Sequence, residues 1–252
     1  MTATSQGPLK HLVGFARRVR RRLGLARSAR SPRKLESLQV LRRRGIPVDA
    51  VVDVGVLHGT FELIDSFPDV HHFLFEPVAE CADVISQAYS KLDYTLVPKA
   101  VGSGDGVASM RILGEPGSLN SSAHIKVVGE NGSERSVEVI SLDSCLDQFG
   151  PVENCLLKID TDGSEIGVLK GSNIFLSKCS SVIVEATKDN ILEVMSFMSD
   201  QEFQIFDIVE PCYFDDALWQ VDLIFIRKDL YDGKFGTILG NDFDSSKYQI
   251  FT

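Results

Sequence analysis

Acidic residues stand at four places where short apolar runs give out. Asp53 lies inside VVDVG, Glu76 closes HHFLFE, and Asp160 and Asp162 flank Thr161 after CLLKI. Carboxylates at strand ends can hold hydroxyls in pairs, receive a proton, attract a cation or ligate a metal. Beside Asp53 runs Gly55-Val56-Leu57-His58-Gly59, a pair of glycines four apart that lets backbone come close to a ligand.

That turn sets the class of ligand. The dinucleotide fingerprint G-x-G-x-x-G is absent, and so is the phosphate-loop pattern G-x-x-x-x-G-K-[ST]. A carboxylate beside the turn would repel a pyrophosphate, whose charge the following helix N-terminus is meant to receive. A nucleoside that carries positive charge fits better, and S-adenosylmethionine has both a sulfonium and an ammonium. The expected contacts are Asp53, Gly55, Val56 and Gly59 around its methionine part, with Asp160 nearby. Glu76, followed by Pro77, takes the two ribose hydroxyls, and Ala100 and Val101 flank the adenine.

Methyl transfer to an alcohol needs alignment and a place for the acceptor's proton. Asp160 is the first candidate for that duty. Asp162, three residues before Glu165, also reads as a capping box for the helix over 163–170. A third reading gives Asp160 and Asp162 a shared Mg²⁺, with Glu185 close by. His124, after Asn120-Ser121-Ser122, is the next candidate base. His58 sits in the cofactor turn, His71 is expected at the surface and His72 in the core. Thr161-Asp162-Gly163 stands where an Asn-Pro-Pro-aromatic clamp for amine acceptors would lie, so oxygen is the expected acceptor.

The elements that must position these groups alternate along the chain. Strands are predicted over 50–54, 71–76, 94–101, 154–160 and 180–186, and then over 203–209 and 219–228. Helices are predicted before Pro68, from Pro77 to about Tyr89, over 163–170 with Gly171 as cap, and over 189–200. Val-, Ile- and Leu-rich strands separated by helices imply an α/β fold, a Rossmann-like, mostly parallel sheet with helices on both faces. The last two strands lack a helix between them, which predicts an antiparallel edge pair. Glycines punctuate 102–140, where an inserted hairpin or flap is expected. The domain reading is an arm over 1–45, a catalytic domain over 46–228 and a tail over 229–252.

Charge divides the chain in two. Residues 1–45 hold 13 Lys and Arg against Glu36 alone, a net of +12, and the rest holds 13 against 34 acids, a net of −21. The acidic body would repel a polyphosphate, so nucleic acid is not an expected partner. Within the arm, Leu12, Phe15, Val19, Leu23 and Ala26 recur at helical spacing among arginines. Peripheral contact with an anionic membrane through residues 9–34, docking of a non-catalytic binding module on an acidic partner, a solvated leader and an organelle targeting peptide all stand open. Five cysteines without a C-x-x-C pair suit a reducing, cytoplasmic setting.

The motifs DVGVLHG, FEP, KAVG, NSS, VEVISLD, LLKIDTDGSEIGVLKG and VIVEA occur in an order that resembles the FkbM-type methyltransferases. The resemblance covers about residues 46–228, and KIDTDGSEIGVLKG is its most specific piece. It implies a class I methyltransferase fold, S-adenosylmethionine as donor and a hydroxyl acceptor on a sugar, glycan or polyketide. This chain has Val56-Leu57 where the family commonly has Ala-Asn.

Overall fold

The computed structural model describes residues 32–111 and 134–236. His124, the Asn120-Ser121-Ser122 stretch, residues 1–31 and the end of the tail lie outside the described residues. The elements begin with α1 (Lys34–Arg44), β1 (Ala50–Val54), α2 (Phe61–Ser66) and β2 (His71–Phe75). A 3₁₀ turn at Ala79–Cys81 leads into α3 (Ala82–Ala88), followed by β3 (Tyr94–Val97), β4 (Ala100–Val101), β5 (Gly106–Arg111) and β6 (Glu134–Ile140). After a 3₁₀ segment at Asp143–Phe149 come β7 (Cys155–Ile159), α4 (Glu165–Lys170), α5 (Asn173–Leu176), β8 (Cys179–Thr187) and α6 (Ile191–Asp200). The hairpin β9 (Phe203–Phe214) and β10 (Ala217–Arg227) and helix α7 (Lys228–Lys234) complete the order.

Seven strands form one sheet in the order β3-β2-β1-β7-β8-β10-β9. All neighbours are parallel except those of β10, which runs antiparallel to both β8 and β9. The expected antiparallel pair is therefore present, with the last strand inserted between β8 and β9 rather than added at the edge. Strand order reverses between β1 and β7, the switch point at which doubly wound sheets bind ligands.

β1 and β7 are buried along their whole length because both faces are covered. Alternate residues serve opposite layers. Val52, Leu157 and Val182 pack with Phe149, Leu169, Phe175 and Met198 on one face. Val51, Leu156, Ile183 and Ile224 pack with Leu38 and Leu41 of α1 and Leu63 of α2 on the other. Each fully buried aliphatic side chain contributes about 1.5–3 kcal/mol.

Three boundaries differ from the sequence reading. The arm expected to end at residue 45 runs into the core, because Leu38 and Leu41 are fully buried beneath α1. Helix α1 carries Glu36 in its first turn, Arg42, Arg43 and Arg44 in its last, and ends on Gly45 in the left-handed region, all favourable to its dipole and cap. The tail expected from residue 229 starts as a helix, α7, whose Leu230 and Tyr231 pack on the same layer as α1. The run expected as one strand over 94–101 divides at Pro98-Lys99, and β4 joins β5 and β6 in a small separate sheet. The antiparallel β5–β6 pair falls within the segment expected to hold the hairpin.

No described helix is long and apolar enough to cross a membrane.

Candidate active site

A cavity of about 760 Å³ opens at the carboxyl ends of β1, β2 and β7, under β5 and β6. Its floor is the turn after β1. Gly55 has φ +82°, and a Cβ there would lie 1.7 Å from the carbonyl oxygen of Asp160, so only glycine lets the two strand ends pass. The turn closes with Gly59 N–H donating to the Val56 carbonyl at 2.8 Å.

Glu76 stands in the cavity wall with its carboxylate fixed from two sides. Leu57 N–H donates to Oε2 at 2.7 Å and Val78 N–H to Oε1 at 2.9 Å. Each oxygen keeps a lone pair, which is what two vicinal hydroxyls require. Burial raises its carboxyl above the ordinary value, and the hydrogen bonds from Val78 and Leu57 oppose that rise. Pro77, Ala100 and Val101 line the same wall, as do Val56, Gly59 and His58. Residues that fit a nucleoside, expected from separate strands, are thus brought together.

Asp53 is placed otherwise than expected. It has no exposed surface, and it lies under the turn instead of lining the cavity. Tyr89 Oη donates to its Oδ2 at 3.3 Å, and Lys158 Nζ lies 3.2 Å from its Oδ1. Asp53 therefore acts on the cavity through Lys158, which the sequence reading missed. The parallel register sets Asp53 directly beside Lys158, and parallel partners face the same side. A lysine inside the apolar strand CLLKI, two residues before an aspartate, was the available signal.

Lys158 ties three groups together. Its Nζ lies 3.2 Å from Asp160 Oδ2 and donates to the Gly55 carbonyl at 2.9 Å, as well as facing Asp53. Burial alone would lower its pKa, but Asp160 and Asp53 hold it above the ordinary lysine value. Burial likewise would raise the Asp160 carboxyl, but Lys158 and then Lys34, with hydrogen bonds from Lys158 and Glu185, keep it below the ordinary range. About a third of the Asp160 side chain is exposed.

Asp162 lines the cavity with φ +53°, but the N-cap position of the helix falls on Ser164, two residues later than in the expected capping box. Helix α4 begins at Glu165, and the Ser164 side chain makes no cap hydrogen bond. Glu165 instead ties down the loop. Its Oε1 accepts from Gly163 N–H at 2.7 Å and from Thr161 N–H at 3.3 Å, while Asn190 donates to Oε2 at 3.1 Å. The expected cap at Gly171 is there, for a reason of space: a Cβ would lie 2.1 Å from the Gly102 carbonyl oxygen.

The Mg²⁺ reading of Asp160, Asp162 and Glu185 is not supported. Among the described residues no three His, Cys, Asp or Glu side chains converge as ligands, and the cation beside Asp160 is the ammonium of Lys158. His72 is fully buried, its Nε2 2.8 Å from the Phe67 carbonyl, and His71 pairs with Asp93 at 2.9 Å.

A model of the Methyltransferase FkbM domain matches residues 53–205, more than half of the chain. A search of curated proteins finds no match. Among solved structures, an rRNA methylase from Streptococcus thermophilus superposes with TM-score 0.44 at 10% identity, over 77% of this chain and 93% of its own. The precorrin-6y C5,15-methyltransferase of Geobacter metallireducens GS-15 gives 0.42 at 12% identity, over 78% and 91%. The magnesium protoporphyrin IX methyltransferase of Synechocystis PCC 6803, with bound SAM, gives 0.44 at 10%, over 89% and 86%.

Proposed function

The chain belongs to the FkbM methyltransferase family and is an S-adenosylmethionine-dependent methyltransferase, and from that premise we propose that its acceptor is a hydroxyl, on a sugar or glycan. The observation that carries this reading is a partly exposed Asp160, paired with Lys158, in the wall of a cavity whose other wall holds Glu76. Glu76 is the residue for the ribose, the Gly55–Gly59 turn for the methionine part, and Ala100 and Val101 for the adenine. Bound there, the cofactor supplies a methyl group made electrophilic by its sulfonium.

The chain's own groups supply alignment. Asp160 accepts a hydrogen bond from the acceptor hydroxyl and aims its oxygen. Held below the ordinary carboxylate range, it is a weak base for a resting alcohol. It takes the proton late, once the oxygen has begun to bond to carbon and become acidic, and passes it to water at the cavity mouth. The loop Thr161-Asp162-Gly163 brings no proline-aromatic clamp for an amine. The net of −21 outside residues 1–45 speaks against a nucleic-acid acceptor. The catalytic domain in this reading is the 46–228 span together with α1.

The test is a methyl-transfer assay with panels of hydroxyl and amine acceptors, followed by Asp160→Asn on the accepted compound. Turnover should fall by about 10²-fold while the donor's Kd changes far less. An amine acceptor, or near-native turnover of the variant, would overturn the assignment; in the latter case His124 becomes the residue to vary.

A further inference from the structure

One face of the sheet, the face that α1 covers, carries a row of charge at its carboxyl end. Asp53 on β1 pairs with Lys158 on β7, and Lys158 with Asp160. Glu185 on β8 stands beside Asp160, because the parallel register pairs Ile159 with Val184, the residues just before them. Glu185 is the register partner of Asp222 on β10. Asp222 Oδ2 then meets Lys34 Nζ of α1 at 2.8 Å, with both side chains nearly buried. Lys34 lines the cavity as well, and it lies outside the span that the family model matches.

The row holds an odd proton. Asp160, Glu185 and Asp222 stand side by side on neighbouring strands, and adjacent buried carboxylates do not all ionise together, so one of them keeps its proton at neutral pH. Lys158 keeps Asp160 ionised, so the proton belongs to Glu185. Gln220 donates from Nε2 to Glu185 Oε1 and leaves the other oxygen for the carboxyl proton. Asp222, buried at the other side of Glu185, competes for that proton, and the group that prevents it from winning is Lys34. The groups facing Glu185 are thus Asp160, Asp162, Asp222 and Gln220. Burial, then repulsion by Asp160, Asp222 and Asp162, pushes its carboxyl up to about 9.

The segment that carries Lys34 is fixed in place. Glu210 N–H donates to the Pro32 carbonyl at 2.8 Å, and Lys34 N–H donates to Glu210 Oε1 at 2.7 Å. We propose that Lys34 is a positioning residue of the methyl-transfer site: by holding Asp222 ionised, it keeps the row's proton on Glu185, next to Asp160 at the cavity wall. The proposal rests on the cavity being that site, but its test does not need the cofactor.

The experiment is carboxyl ¹³C NMR of the full chain labelled at glutamate Cδ, titrated through neutral and alkaline pH. One glutamate signal should titrate near 9 and vanish in Glu185→Gln, which assigns it. In Lys34→Met, Asp222 loses its cation and takes up a proton, its repulsion of Glu185 disappears, and the Glu185 titration moves down by at least one pH unit. Asp222→Asn should move it in the same direction, and Lys34→Arg should leave it near the native position. A helix tether without electrostatic reach would lower the melting temperature and leave the Glu185 titration unmoved, and that result overturns the proposal. So does an upward shift in Lys34→Met. If that variant does not fold, an unmoved titration in Asp222→Asn is equally decisive against it. Calorimetry with S-adenosylmethionine on the native protein tests the functional reading separately: no binding there, with the titrations as expected, sinks the assigned function and leaves the row intact.

Discussion

In the proposed reading Glu76 serves both fold and ligand. Its two oxygens pin the backbone N–H groups of Leu57 and Val78, so the carboxylate is pre-oriented before a nucleoside arrives. Glu76→Ala should weaken S-adenosylmethionine binding by about 1–3 kcal/mol, the scale of hydrogen bonds to a charged group. Titration calorimetry on a variant with a preserved melting transition measures it, and an unchanged Kd would remove the ribose assignment. The position of Glu76 was legible, because an acid ending the second strand in FEP has few other duties. The burial of Asp53 was not. An aspartate before a glycine turn reads the same whether it faces the ligand or lies under it, and Lys158 drew it inward.

At the scale of elements, α1 changed most between sequence and structure. Its composition is that of the basic segment before it, since LESLQVLRRR offers few apolar residues and three arginines in a row. Yet Leu38 and Leu41, three apart, fall on one face and are fully buried. Leu41→Ala should cost about 2–5 kcal/mol of stability, read by urea denaturation with an unchanged m-value. A loss under ~1 kcal/mol would mean that α1 is held by its ion pair and not by packing. The hairpin β9–β10 is a second case. The strands expected over 203–209 and 219–228 run on until a two-residue turn joins them, where Asp215 and Asp216 both take positive φ.

For the whole molecule, the charge row predicts a pH dependence with a definite sign. Glu185 keeps its proton in the folded protein up to about 9, whereas an unfolded glutamate loses it near ~4.3. The folded state binds more protons through that interval, so stability falls as pH rises, by at most about 1.4 kcal/mol per pH unit, and levels off above it. Asp160 acts oppositely and lower down: its depressed pKa contributes stability that is present above the ordinary aspartate value and lost as pH falls through the folded one. Unfolding free energies at about pH 6 and about pH 9 should therefore diverge between native protein and Glu185→Gln, with the native losing more on the alkaline side. Parallel curves for the two proteins would show that Glu185 does not hold the proton.

Alternation of Val-, Ile- and Leu-rich runs with helical stretches determined the layered, mostly parallel sheet, because period and burial are properties of neighbouring residues. The glycine turn and the acid at the end of the second strand likewise pointed to a positively charged nucleoside without any coordinates. Tertiary structure decided which charges meet. Lys34, Asp53, Lys158, Glu185 and Asp222 come from five elements, and no spacing along the chain relates them. Only the register of β1, β7, β8 and β10, with α1 laid across one face, brings them into a single row. Once there, burial made pairing obligatory, since an unpartnered charge in a dry interior costs several kcal/mol.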